Sequence, residues 1–550
     1  MTISNKEIAR HFHLLGKLSD LHGENPFKGK SYANAAFRIE RLERPLASLL
    51  PDDIAKLDGI GPAIQEKISL LLDGKPIPAL MKLLEATPAG VLDIMEIKGL
   101  GPKKVRTIWK DMGIESVGEL YYACHENRLA HAKGFGEKTQ SAVLNSIEFM
   151  QASQGKFHYA SLESMATQLV EQMSALSSVK RASLTGAIRR CCEILEEISL
   201  LVIAPDPHQL IVELGSLMMV NATENPILAE KNGVPIHIYV ASEAHWYRDL
   251  FLTTGPAAHA DRFQPAETLE SERVVYEAAG APYFIPEIRD LNPEVPPAET
   301  DVLSEKDLKG ILHVHTTYSD GLHTLTEMAT RCRDMGYEYI GISDHSQSAF
   351  YANGLKPDRI RQQHEEIDRL NEQLAPFKIF KGIESDILND GSLDYDDHVL
   401  SSFDFIVASV HSQLQMDKEK ATRRLLTAIC NPHTTILGHM TGRLLLSRAG
   451  YPVDHETIIR ACAEHNVVIE LNAHPYRLDI DWRWIPACME AGVMISVNPD
   501  AHAMDGLKDV HFGSLAARKG GLLRAATFNT LDAETVARHF AGKNQTAGKA

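Results

Sequence analysis

Nine side chains of metal-ligating type recur in the second half of the chain, each closing a short apolar run. They are His313 and His315 in ILHVH, Asp320 in TTYSDG, His345 in ISDHS, Glu384 in GIESD, His411 in SVHS, His439 in LGHM, and Asp500 and His502 in NPDAH. A His-x-His pair on a strand turns both rings to one face. The strand ends of a (β/α) barrel converge on one rim, so nine residues distant in sequence are expected to meet in one pocket. Clustered divalent ions would acidify a bridging water there and neutralise phosphate oxygens during in-line attack, the chemistry of phosphoester hydrolysis. Mixed imidazole and carboxylate donors suit manganese, zinc or iron better than magnesium.

The elements that must position these residues follow from the pattern. From residue 308 onward, apolar strand-like runs alternate with helical stretches, as in a parallel sheet or closed (β/α) barrel. Residues 155–290 are mixed, with strand-like ISLLVIA and VPIHIYV, while residues 1 to about 150 read as short helices divided by glycine turns. Ahead of the barrel-like region lies LNPEVPPAETDVLSEKD (291–307), whose prolines and acidic residues leave nothing to bury and read as a linker.

The helical region contains one motif three times: LDGIGPAIQEKI, IKGLGPKKVRTIW and AKGFGEKTQSAVLNSI. Gly59 and Gly61, Gly99 and Gly101, and Gly134 and Gly136 each flank one apolar residue ahead of an amphipathic helix, with Lys103, Lys104 and Lys138 beside the turns. Such a turn presents backbone N–H groups that suit a phosphate oxygen. The motif resembles the helix-hairpin-helix element, which grips the nucleic-acid backbone without reading sequence. A net charge of −17 from 56 basic and 73 acidic residues argues against a phosphate-rich partner. Residues 1–150 nevertheless carry 20 basic against 19 acidic side chains, so the acidity belongs to the rest of the chain. The seven scattered cysteines, with no Cys-x-x-Cys pair, and an N-terminus without a signal-peptide pattern predict a cytoplasmic protein without disulfides or a membrane segment.

The first repeat, with PFKGKSYANAA upstream, resembles the small N-terminal domain of family X DNA polymerases. By that resemblance Lys28 and Tyr32 fall on 5′-phosphate positions and Lys67 on that of the Schiff-base lysine of a deoxyribose-phosphate lyase. TGAIRRCCEILEEISLLVIA resembles the family X palm, keeping Gly186, Arg189 and Arg190. At the positions of that family's three catalytic aspartates, however, stand Glu197, Ser199 and His237. Magnesium prefers hard oxygen donors in octahedral array, which this set does not supply, so the palm reads as one that has ceased to polymerise.

The nine C-terminal residues resemble the ligand set of the PHP (polymerase and histidinol phosphatase) superfamily, whose barrel carries three metals. The resemblance implies a first metal on His313, His315, Glu384 and Asp500, with Glu384 bridging to a second on His411 and His439. Asp320, His345 and His502 would hold a third, all most readily Mn2+ with Zn2+ or Fe2+ as alternatives. Glu384, His411 and Asp500 would be catalytic, and Arg443 and Arg477 are candidate strand contacts.

The chain as a whole resembles the bacterial family X polymerases fused to a PHP domain. The expected fold is multidomain: an all-α helix-hairpin-helix N-terminal region, an α+β nucleotidyltransferase-like palm and a distorted (β/α)7 PHP barrel. The expected boundaries are 1–85 lyase-like, 86–154 fingers-like, 155–290 palm and thumb, 291–307 linker and 308–550 PHP. The implied function is a metal-dependent 3′–5′ exonuclease or 3′-end phosphodiesterase, with abasic-site endonuclease activity a related option. It would act as a monomer on gapped, nicked or 3′-ended DNA in base excision repair. The alternatives are an active polymerase with exonuclease, a small-molecule phosphatase of the histidinol phosphatase kind, and a binding scaffold without catalysis.

Overall fold

The computed structural model describes residues 3–547 apart from 43, 55, 58, 118–119, 121–122, 125–127, 153–154 and 447–448. Asp58 of the first repeat and the last two residues of TGRLLLSR therefore lie outside the described residues. The chain forms two compact units, Met1–Gln154 and Gly155–Ala550.

The first unit is helical. Its leading helix, Asn5–His22, is closed at the start by a capping box between Ser4 and Glu7, and it buries Ile8, Phe12, Leu15 and Leu18. These residues share one core with Ile64, Ile68, Val105 and Ile108 from the repeats. The three glycine motifs fold alike. Gly59, Gly99 and Gly134 have φ of 79°, 87° and 88°, a region that β-carbon-bearing residues avoid. Ile60, Leu100 and Phe135 then donate their N–H to Leu57, Ile97 and Ala132, each at 3.1 Å. Ile60 and Leu100 are buried. Helices Pro62–Leu72, Pro102–Arg106 and Glu137–Ala152 follow.

The second unit holds two larger sheets and one small one. Strands β1 (Phe157–His158) and β3 (Ile194–Leu195) form an antiparallel pair. The palm sheet has the order β2-β4-β7-β6-β5, from β2 (Arg181–Thr185), β4 (Ile198–Ile203), β5 (Met219–Ala222), β6 (Ile227–Lys231) and β7 (Val234–Ala241). Seven parallel strands then run in sequence order: β8 (Gly310–Val314), β9 (Tyr339–Ile342), β10 (Lys378–Asp386), β11 (Phe405–Ser409), β12 (Ile436–Leu437), β13 (Val468–Asn472) and β14 (Ile495–Asn498). A bridge between Val314 and Ala501 brings the last strand back to the first, so the sheet is a nearly closed barrel. Leu312, Tyr339, Phe380 and Phe405 of these strands pack with Phe540 of the C-terminal helix. Ile311, Ile340, Ile383 and Ile469 pack on the surrounding helices. Burial on both sides explains the continuous apolar runs.

One expectation is modified. Segment 291–307 does not divide the fold, because residues 155–290 and the barrel form a single unit. Val302 and Leu303 are buried, and the Leu303 N–H donates to Leu522 O at 2.8 Å. Two apolar residues among the acidic ones suffice to lay the segment down as a strap. The palm is tied to the barrel directly as well: the buried Lys519 ammonium pairs with Asp290, which also accepts from Arg190 Nε at 3.0 Å. His511 bridges Glu163 at 2.7 Å and Glu305 at 3.0 Å.

Candidate metal centre

His313 and His315 reach the barrel rim through an irregularity. The pairing of β8 with β9 shifts register between Ile311 and Val314, and His313 sits at φ 62° inside this bulge. Asp500, just past β14, is also left-handed, with φ 53°. Non-glycine residues in this region store strain that the surrounding structure must hold, and such positions gather at functional sites.

All nine candidate ligands come together. His315, Asp320, His345 and His502 form one cluster; His313, Glu384 and His439 another; His313, His315 and Asp500 a third; His345, Glu384 and His411 a fourth. Glu384 is the hub and is fully buried. Its Oε1 lies 3.1 Å from His313 Nε2, 3.1 Å from His411 Nε2 and 3.0 Å from His439 Nε2. Its Oε2 lies 2.8 Å from His345 Nδ1 and 3.6 Å from His315 Nε2. Asp500 Oδ1 stands 3.1 Å from His315 Nε2, and Asp320 Oδ1 stands 3.4 Å from His502 Nε2.

The far sides of two rings decide what the near sides can offer. His313 Nδ1 donates to Glu470 at 2.6 Å and His411 Nδ1 donates to Asp386. A neutral imidazole with its proton on Nδ1 turns the Nε2 lone pair toward the Glu384 oxygen, an arrangement that only positive charge between them stabilises. Without such a cation, the same carboxylates favour the protonated rings. Burial alone would lower His411, but Glu384 and Asp386 raise it to about 10. His313 is likewise raised, burial being overridden by Glu470, Asp500 and Glu384. Glu384 is held well below the usual carboxylate range against its burial by His411, His313 and His345. His315 is lowered to about 3 by burial and by the rings of His502 and His345, which keeps its lone pairs available. The donor set thus fits divalent transition ions, held by nitrogen and oxygen together.

Sequence reasoning missed the residues that hold the ligands. Glu470 accepts from His313, from the His439 N–H at 3.1 Å and from the side-chain amides of Asn472 and Asn498 at 3.1 and 3.0 Å. Asp344 accepts from Thr316, Ser319 and Gln363 beneath the same rim. The Arg443 guanidinium is committed within the protein: it bonds Asp481 and the carbonyls of Arg477 and Leu478. Arg477 faces inward, its Nε 3.8 Å from Asp500 Oδ2.

Family models match the same regions: a helix-hairpin-helix domain over residues 3–75, a SAM-like helix-hairpin-helix tandem over 91–147 and a PHP domain over 312–474. The chain is 32% identical over 561 aligned positions to the DNA polymerase/3′-5′ exonuclease PolX of Bacillus subtilis, covering 96% of this chain and 98% of that protein. The chain belongs to the PolX family. About a third of the chain is also similar to other proteins. Probable phosphatases of Clostridium acetobutylicum and Vibrio atlanticus are 28% and 29% identical over 35% and 36% of this chain and cover 78% and 79% of their own lengths.

Within this PolX-family fold, Glu197, Ser199 and His237 are neighbours. Ser199 on β4 pairs with His237 on β7, and Ser199 Oγ lies 3.4 Å from Glu197 Oε1. Gly186, at φ 66°, leaves no room for a side chain, since a β-carbon there would lie 2.8 Å from Ser199. Arg189 is paired with Glu272 and donates to Thr254 Oγ1 at 2.6 Å, and Arg190 is paired with Asp290 and donates to the Thr254 carbonyl. In the first unit, Lys67 Nζ lies 5.8 Å from the centre of the Tyr32 ring and donates to Ala63 O at 3.0 Å, while Lys28 is exposed and 4.0 Å from Glu24. No atom lies within 4 Å of a β-carbon added at Gly61, Gly99, Gly101, Gly134 or Gly136, so these turns are open to an approaching backbone. Lys103 and Lys104 flank the second turn. Among the described residues no helix is long and apolar enough to cross a membrane.

Proposed function

We propose that this chain is a metal-dependent 3′–5′ exonuclease or 3′-end phosphodiesterase acting on DNA ends and gaps in base excision repair, and that its palm no longer polymerises. The observation that carries the reading is the convergence of the Nε2 atoms of His313, His411 and His439 on one Glu384 oxygen. Divalent ions bound there supply an acidified water and charge neutralisation at the scissile phosphate. Glu384, Asp500 and Asp320 bring the negative charge that holds the ions, and the six histidines orient them. Asp386 and Glu470 fix the rings of His411 and His313. The open glycine turns hold the DNA by its phosphates, irrespective of sequence.

The loss of polymerisation is supported by chemistry at the palm. Glu197, Ser199 and His237 occupy the sites of three carboxylates, and Arg189 and Arg190 are already engaged by Glu272 and Asp290. Lys67, beside Tyr32, stays the candidate lyase lysine on the resemblance alone. The small-molecule phosphatase reading is favoured by the likeness of about a third of the chain to the probable phosphatases, but it leaves the three hairpins without use.

The test uses the full-length protein, a labelled oligonucleotide and manganese. Degradation from the 3′ end is expected, abolished by His411→Ala and retained in His237→Ala. Preference for histidinol phosphate over the oligonucleotide would overturn the nuclease reading. Nucleotide incorporation by the unaltered protein would overturn the reading of the palm.

A further inference from the structure

The loop that follows β13, residues 473–478, hangs from the metal centre and touches the palm. Asn472 at its root donates to Asp500 Oδ2 at 3.1 Å and accepts from the His474 N–H at 3.1 Å. Arg477 lies beside Asp500, and its buried Nη1 has no hydrogen-bond partner. A buried guanidinium hydrogen left unsatisfied is costly unless a ligand takes it, and a cation next to a cation site has use for an anion.

Tyr476 projects from the same loop. It is 48% exposed, large for an aromatic ring on a well-braced loop. Its carbonyl accepts from the Leu445 N–H at 2.7 Å, and its N–H donates to His474 Nδ1 at 3.3 Å. The palm supplies the remaining support. His158 of β1 lies 4.4 Å from the Tyr476 ring, centre to centre, and its Nε2 donates to Leu445 O at 3.0 Å. Pro475 shares an apolar seam with Tyr159 and Glu193. A ring held from behind by a histidine, open in front, next to a guanidinium whose Nη1 is unpartnered and to a cation site, has the composition of a single-strand binding platform.

We infer that Tyr476, positioned by His158 of the palm, stacks a nucleobase of the DNA strand whose phosphate Arg477 contacts beside the metal centre. The inference deepens the nuclease reading and rests on it. It also gives the palm a present use, that of positioning the ring that lets the barrel favour a nucleotide chain over a base-free phosphoester. His158 is a positioning residue, while Tyr476 touches substrate.

The test places 2-aminopurine at the 3′ end of a phosphorothioate-linked single strand and follows its fluorescence with the full-length protein in manganese. Quenching is expected for the unaltered protein and for Tyr476→Phe, and its loss for Tyr476→Leu, which keeps bulk without a ring. In parallel, the ratio of oligonucleotide to bis(p-nitrophenyl) phosphate hydrolysis is expected to fall roughly ten-fold in Tyr476→Leu and to be restored in Tyr476→Phe, in the range of one base–aromatic stack. Equal quenching and an equal ratio in the Leu and Phe variants would overturn the stacking assignment. Hydrolysis of bis(p-nitrophenyl) phosphate without any cleavage of the oligonucleotide by the unaltered protein would instead overturn the nuclease reading beneath it.

Discussion

Glu470 and His313 meet in a 2.6 Å hydrogen bond between two side chains that have no exposure to solvent. The carboxylate also collects the His439 backbone N–H and two asparagine amides, so it fixes one ring by its tautomer and a second by its backbone. Glu470→Gln keeps the shape and removes the charge and one acceptor. Partners of this kind contribute about 10- to 100-fold to metal affinity. Manganese titration of the variant is expected to show a loss in that range, and an unchanged affinity would mean that Glu470 serves folding alone.

Metal binding should also appear as stability. The carboxylates of Glu384 and Asp500 are buried among imidazoles, with the Arg477 guanidinium beside Asp500. Manganese at about 100 times its dissociation constant would add about 2.7 kcal/mol to the folded state. Calorimetry of chelator-treated protein, with and without added manganese, should show an upward shift of the transition, and magnesium at the same concentration a smaller one.

The hairpins offer an independent handle on DNA affinity. Gly99 and Gly134 have strongly positive φ with open space where a β-carbon would stand. A β-branched residue there costs backbone energy, roughly 1–2 kcal/mol per site, and blocks approach to the N–H groups. Gly99→Val with Gly134→Val is expected to weaken binding of any DNA sequence to a similar degree, as read by fluorescence anisotropy. Hydrolysis of bis(p-nitrophenyl) phosphate should persist. Selective loss for one sequence would contradict a backbone-only role.

The seam between palm and barrel should respond to pH. His511 is raised to about 9, first by its hydrogen bond to Glu163, with burial opposing and Glu305 adding to the rise. A group whose folded pKa lies above its unfolded value stabilises fully below the unfolded value, about 6.5, and ceases to do so as pH passes the folded one. The thermal midpoint of the unaltered protein should therefore exceed that of His511→Ala at pH 6. The difference should shrink between about pH 6.5 and 9 and vanish above it. A difference independent of pH would assign His511 to packing instead.

The nine rim residues are legible in the sequence because each closes an apolar run, and strand ends in a barrel share one rim. The glycine repeats are legible because φ near 80° leaves few other choices of residue. Glu470 and Asp386 are not, since a carboxylate within VVIELN or GIESD looks the same whether it faces a histidine or water. The tie between Lys519 and Asp290 spans 229 residues, and no local pattern reports a contact of that length. The strap at 291–307 is misread from composition for a related reason: prolines and acids dominate the count, while Val302 and Leu303 determine where the segment lies.

The Lys519 ammonium bears on how this gene can be cut. A fragment beginning at residue 308 would keep the lysine while discarding Asp290, the Arg190 carbonyl and Cys192, which surround its Nζ. That cut would open the Lys519 side chain, 1% exposed in the intact fold, and the apolar surface beside it to solvent. A piece that starts at Gly155 keeps both sides of this contact within one compact unit.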